Sequence, residues 1–150
     1  MTLPDPVLRY VLEAKPLHEA LRRALIQLSG FLLKRLTAER NSVVDFEPIE
    51  AARTGVGEAA EGLRSLRAPF AAAHHHLHLE GAAAALERGL AAALLRHDPN
   101  GDALFHLLEE AERHLRAASR ALPGFEAVDL TQACCAAHSQ PAALAPRCFS

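Results

Sequence analysis

FAAAHHHLHLEGAAAALERGLAAALL, residues Phe70–Leu95, is the longest helical pattern in the chain and the stretch on which its fold turns. Its only formal charges are Glu80, Glu87 and Arg88, and it packs four of the nine histidines, His74, His75, His76 and His78, into five positions. Alanine and leucine lose little entropy on entering a helix, so this composition favours helix over strand. At about 100° per residue, Leu79, Ala83, Leu86, Leu90 and Ala93 share one face. His74 and His78 fall roughly opposite it with Gly81, Ala85 and Arg88, while His75 and His76 flank it. Pro69 breaks the chain before this helix, and HDPNGD (97–102) ends it near Arg96.

The flanking segments repeat the pattern. Ile49, Ala52, Val56, Ala59, Leu63 and Leu66 step by three and four residues, the seam of a helix in a bundle, with Pro48 in its first turn. Gly55, Gly57 and Gly62 lower its intrinsic stability and allow a neighbouring helix to approach closely. In LHEALRRALIQLSGFLLKRL (17–36) a stripe runs through Leu17, Leu21, Ala24, Leu25, Leu28, Phe31 and Leu32, while Ile26 and Leu33 on the opposite side offer a second contact surface. Leu104, Leu108, Ala111, Leu115, Ala118 and Leu122 line the last long helix, which Pro123-Gly124 ends. The pattern predicts an all-α, antiparallel four-helix bundle over 16–122. Pro16 is expected in the first turn of the bundle's first helix, which leaves 1–15 as an N-terminal arm or short helix. Residues 123–150 are expected to form a partly disordered, mobile extension with at most a short helix over 129–138.

With 150 residues the chain is long enough for one domain with a core of its own. A net charge of −2 supplies no basic field, so nucleic acid is not an expected partner. Every apolar run is interrupted by Arg, Glu or His, which argues against a membrane span. MTLPDPVLRYVLEAKP has no basic region followed by an apolar one, so no secretory leader is expected. Cys134, Cys135 and Cys148 are odd in number and lie outside the core-forming segments, which suits reduced thiols in a cytoplasmic protein.

Several residue sets are candidates for chemistry. His74 and His78 are an i, i+4 pair whose imidazoles can share a cation such as zinc. His106, Glu110 and His114 repeat that spacing on the last helix, so the two sets together would make a metal- or haem-binding bundle. Ligands of a bundle site project inward, whereas His106 and Glu110 lie opposite their leucine seam and only His114 reaches its flank. Solvated polar faces are therefore the expectation. LHLEGAAAAL (77–86) is loosely similar to the His-x-Leu-Lys-Gly motif of histidine phosphotransfer domains. That resemblance implies a phosphoacceptor at His78, although Leu77 stands where the motif has its histidine and Glu80 where it has lysine.

Asp98, Asn100, Asp102 and Glu109 match calcium-loop positions, but Ala103 replaces the turn glycine, so Asn100 or Asp102 is expected to cap the last helix instead. Cys134, Cys135, His138 and Cys148 are donors enough for one zinc, yet adjacent cysteines diverge on a helix, and free thiols are expected. No glycine-rich phosphate loop or nucleophile–base pattern is present. The sequence thus predicts a non-enzymatic binding, regulatory or assembly module that needs no cofactor. It acts on a protein partner or on a second copy, with homodimerisation suggested by the small side chains of the central helix. A bundle binding a divalent transition metal is the alternative.

Overall fold

A computed structural model describes residues 5–39, 42–95 and 98–125. The fold among them is all-helical: α1 (Asp5–Thr37), α2 (Glu47–Ser65), a short 3-10 turn (Phe70–Ala72), α3 (Ala73–Ala93) and α4 (Asp102–Ala121). The helices pack as a bundle, and none among the described residues is long and apolar enough to cross a membrane. The seams expected on α2 and α4 are the ones that face inward. Ile49, Ala52, Val56, Ala59 and Leu63 are buried on α2, as are Leu104, Leu108, Ala111, Leu115, Ala118 and then Leu122 along α4. Of the three α2 glycines, Gly62 is the one that meets a neighbour tightly, since a Cβ there would lie 2.7 Å from Leu17 Cδ2.

Among the described residues, 5–15 form no separate N-terminal arm or short helix. α1 runs unbroken through Pro16, for 33 residues, instead of beginning there. Proline inside a helix removes one hydrogen bond and crowds the carbonyl four residues back, at a cost of about 3 kcal/mol. Val7, Tyr10, Val11 and Ala14 offset it, because they are buried on the same face as the stripe that follows. Burying each of the three larger side chains contributes about 1.5–3 kcal/mol. Pro16 and Leu12 themselves lie on the exposed side, where water can reach the carbonyl left without a partner.

α3 is buried over a wider arc than its leucine face. Besides Leu79, Ala83, Leu86, Leu90 and Ala93, the core takes in His75, Ala82, Ala85, Gly89 and Ala92. Ala85 belongs to the side opposite the leucine face, and it is fully covered. That side is where α4 docks. A Cβ on Gly89 would lie 3.5 Å from Leu104 and 3.9 Å from Leu107, and one on Gly81 would lie 2.5 Å from the His114 ring. With Ala85 between them, these glycines form a ridge of small residues at four-residue spacing that lets the two helices close together.

The α3–α4 connection shows how α4 is aimed. Its N-cap is Gly101, with φ +68°, a left-handed conformation that suits glycine. The capping carboxylate comes from Asp98, not from Asn100 or Asp102: Oδ1 accepts from the Asp102 N–H at 3.0 Å and Oδ2 from the Ala103 N–H at 3.1 Å. Both oxygens are thereby committed to the helix, which leaves Asp98 unavailable as the first ligand of a calcium loop. Arg35 near the end of α1 donates to the Asp98 carbonyl and ties the turn to the first helix. Replacing Asp98 by Ala is expected to lower stability by about 1 kcal/mol. Asn100→Ala should be neutral, and the urea unfolding midpoints of the two variants check this.

Candidate functional site

The seven histidines among the described residues are not one cluster. His75 points into the core, 1% exposed, where Tyr10 of α1 meets it: Tyr10 Oη is 2.8 Å from His75 Nδ1 and 3.4 Å from His76 Nδ1. Phe125 covers this group from the end of α4, its ring centroid 4.2 Å from that of His75 and 5.3 Å from that of buried His18. If the His75 Nδ1–H donates to Tyr10 and the hydroxyl donates on to His76 Nδ1, the His76 Nε2–H faces Glu80, 3.6 Å away. That order leaves His75 Nε2 as a buried nitrogen with no partner. Burial, and then the neighbouring His18, His76 and His78, push His75 down to about 4. Burial also lowers His18 and, together with the Glu80 charge, raises the Tyr10 hydroxyl well above its ordinary value. The neutral forms of His75, His18 and Tyr10 are thereby favoured, and the Tyr10–His75 contact joins the start of α1 to α3.

A second row of imidazoles lies at the rim between α3 and α4. His78 Nε2 is 3.2 Å from His74 Nε2, and His78 Nδ1 is 3.1 Å from His114 Nδ1. α3 supplies the first pair at i, i+4, and α4 brings His114 over Gly81, where only a hydrogen leaves room for the ring. Burial lowers the His78 pKa, with smaller contributions from His74 and His114, so its neutral form is favoured. Of the five candidate ligands, three are therefore in contact. The other two are elsewhere: exposed His106 faces Glu109 at 3.4 Å, and Glu110 accepts from Arg88 at 2.6 Å.

Among the described residues no group of three or more His, Cys, Asp or Glu side chains is arranged to hold a metal ion. The reason is visible at His78, which meets its two neighbours through opposite nitrogens, so the three rings form a chain and share no central point. The same geometry bears on phosphoryl transfer, because each ring nitrogen of His78 already faces another imidazole. Cys134, Cys135, His138 and Cys148 lie outside the described residues.

The chain matches no protein-family model, no curated protein and no solved structure. Its function must be read from its own geometry.

Away from the imidazole row, an apolar groove of about 500 Å³ lies between α1 and α4. Leu25, Ile26, Leu32, Leu33 and Leu36 form one wall, Phe105 and Leu108 the other, and Glu109 and Glu112 edge it. Ile26 is 68% and Leu33 64% exposed.

The buried histidine sets a pH dependence with a definite sign. Its folded pKa, about 4, lies below the ordinary 6.5, so the unfolded chain takes up the proton first as pH falls. The contribution of His75 is complete above pH 6.5 and is lost progressively down to about pH 4, amounting to at most about 3 kcal/mol. Urea unfolding across that range should show the decline, and His75→Leu should make it shallower, with the lowered His18 and His78 keeping the remainder.

Proposed function

We propose that this chain is a non-enzymatic assembly module that works by associating with a second copy of itself through the α1–α4 groove. The observation that carries the reading is the outward strip Ile26, Ser29, Leu33 and Leu36, which steps by 3-4-3 along α1 while the core stripe occupies another face. That spacing is the seam of one helix lying along another. Single exposed apolar residues are ordinary on protein surfaces. A contiguous patch set in a groove and rimmed by carboxylates is the signature of an interaction site.

Self-association fits the charges. The groove is edged by Glu109, 3.4 Å from His106, and Glu112, paired with Arg116 at 2.6 Å, both pairs exposed to solvent, and α1 carries exposed Arg22, Arg23 and Lys34 around its strip. A twofold pair would lay α1 of each copy against the groove of the other and bring those cations toward the partner's glutamates. The alanine-rich α3 is not the surface for this, since its small residues are spent against α4 inside the protomer. A standard interface buries roughly 800 Å² and about 20–30 residues per partner, whereas ten residues line this groove. The dimer is accordingly weak and concentration-dependent.

Sedimentation velocity over a broad concentration range tests this reading. Wild type should pass from monomer to dimer, and Ile26→Glu or Leu33→Glu should stay monomeric with unfolding midpoints near wild type. A monomer at every accessible concentration would sink the proposal.

A further inference from the structure

We propose that His74 and His78 form a two-histidine chelate for a divalent transition-metal ion, with His114 as the group that orients His78. The two Nε2 atoms stand 3.2 Å apart on successive turns of α3. Two imidazole nitrogens bound to one tetrahedral zinc at about 2.0–2.1 Å are about 3.3 Å from each other. The pair thus already has the separation that a shared ion requires.

The third ring completes the case. His78 Nδ1 faces His114 Nδ1 at 3.1 Å. With its proton on Nδ1, His78 donates to His114 and turns its Nε2 lone pair toward His74. Metal-binding histidines ordinarily hold their other ring N–H on such a partner, which sets the tautomer and the ring plane. Gly81 seats His114 there, so α4 contributes to the site without supplying a ligand. With no ion between the rings, a proton on His74 Nε2 bridges them. On metal binding that proton moves to His74 Nδ1, which costs no burial because His74 is exposed, and no proton is released.

The donor set defines the class of ion. Two neutral imidazoles suit zinc, nickel or copper over the oxygen-seeking magnesium and calcium. Glu110 is held by Arg88, so no carboxylate of the rim closes the site, and water fills the remaining positions. The N-terminal end of α3 mildly disfavours a cation, a minor opposition to two metal–nitrogen bonds.

Calorimetric titration of Zn²⁺ into the full, untagged chain, together with imidazole nitrogen NMR, tests the assignment. Wild type should bind an ion with shifts at Nε2 of His74 and His78 and none at His106. His74→Ala and His78→Ala should each weaken that event at least tenfold, and His74→Ala, at an exposed position, should keep the wild-type circular dichroism. His114→Ala should weaken it about 10–100-fold, with partial rescue in His114→Gln, whose amide oxygen accepts from His78 Nδ1–H. His106→Ala should change nothing. The proposal is overturned if His74→Ala and His78→Ala bind zinc as wild type does, which would put the ion on the thiols and His138 or make it adventitious. It is equally overturned if magnesium produces the same shifts.

Discussion

The close approach of α3 and α4 along Gly81, Ala85 and Gly89 is the constraint on which the rest of the structure depends. Small side chains let the helix backbones come together, and the leucines of α4 then fill the space that larger residues on α3 would have taken. α3 is consequently covered by α4 on one side, while its leucine face meets the remaining helices. Two surface features follow from that placement. His114 comes to rest over Gly81 beside His78, and the start of α4 lies against the last turns of α1, forming the groove edged by Glu109 and Glu112.

Much of this was legible in the residues, and the failures share a cause. Leucine seams on α2 and α4 announced their buried faces because each large apolar side chain marks its own direction. On α3 the second buried face is built from Gly and Ala, which carry little hydrophobic weight, so periodicity marks only the leucine face and is silent on Ala85, which is fully covered. Pro16 misled in a different way. Local chemistry favours a helix start there, but Val7, Tyr10 and Val11 gain more by continuing the buried face than the proline costs. Proximity to the helix start favours Asn100 or Asp102 as the α4 cap, whereas the chain reverses at Gly101 and brings Asp98 back over the free N–H groups.

The histidines show what sequence can and cannot divide. Helical projection separated His74 and His78 from His75 and His76, and that separation holds in the fold. Projection alone could not reveal that His75 would be sealed by Tyr10 and Phe125, residues 65 positions before it and 50 after it in sequence. Nor could it choose among the α4 candidates. His114 joins His78 while His106 does not, because the helix register set by Gly81 and Gly89 brings one of them to the rim and leaves the other in solvent. Both proposed activities rest on that register: the imidazole row at one end of the α3–α4 contact, and the apolar groove where α4 begins beside α1.

The central claim is that α3 is buried on its small-residue side as well as on its leucine side. The most direct measurement compares urea unfolding of Ala85→Leu with that of Ala84→Leu, its exposed neighbour on the same helix. If α4 packs on Ala85, the added bulk there costs about 1–3 kcal/mol or prevents folding, while the change at Ala84 leaves stability near wild type. Equal and near-wild-type midpoints for the two variants would contradict the account.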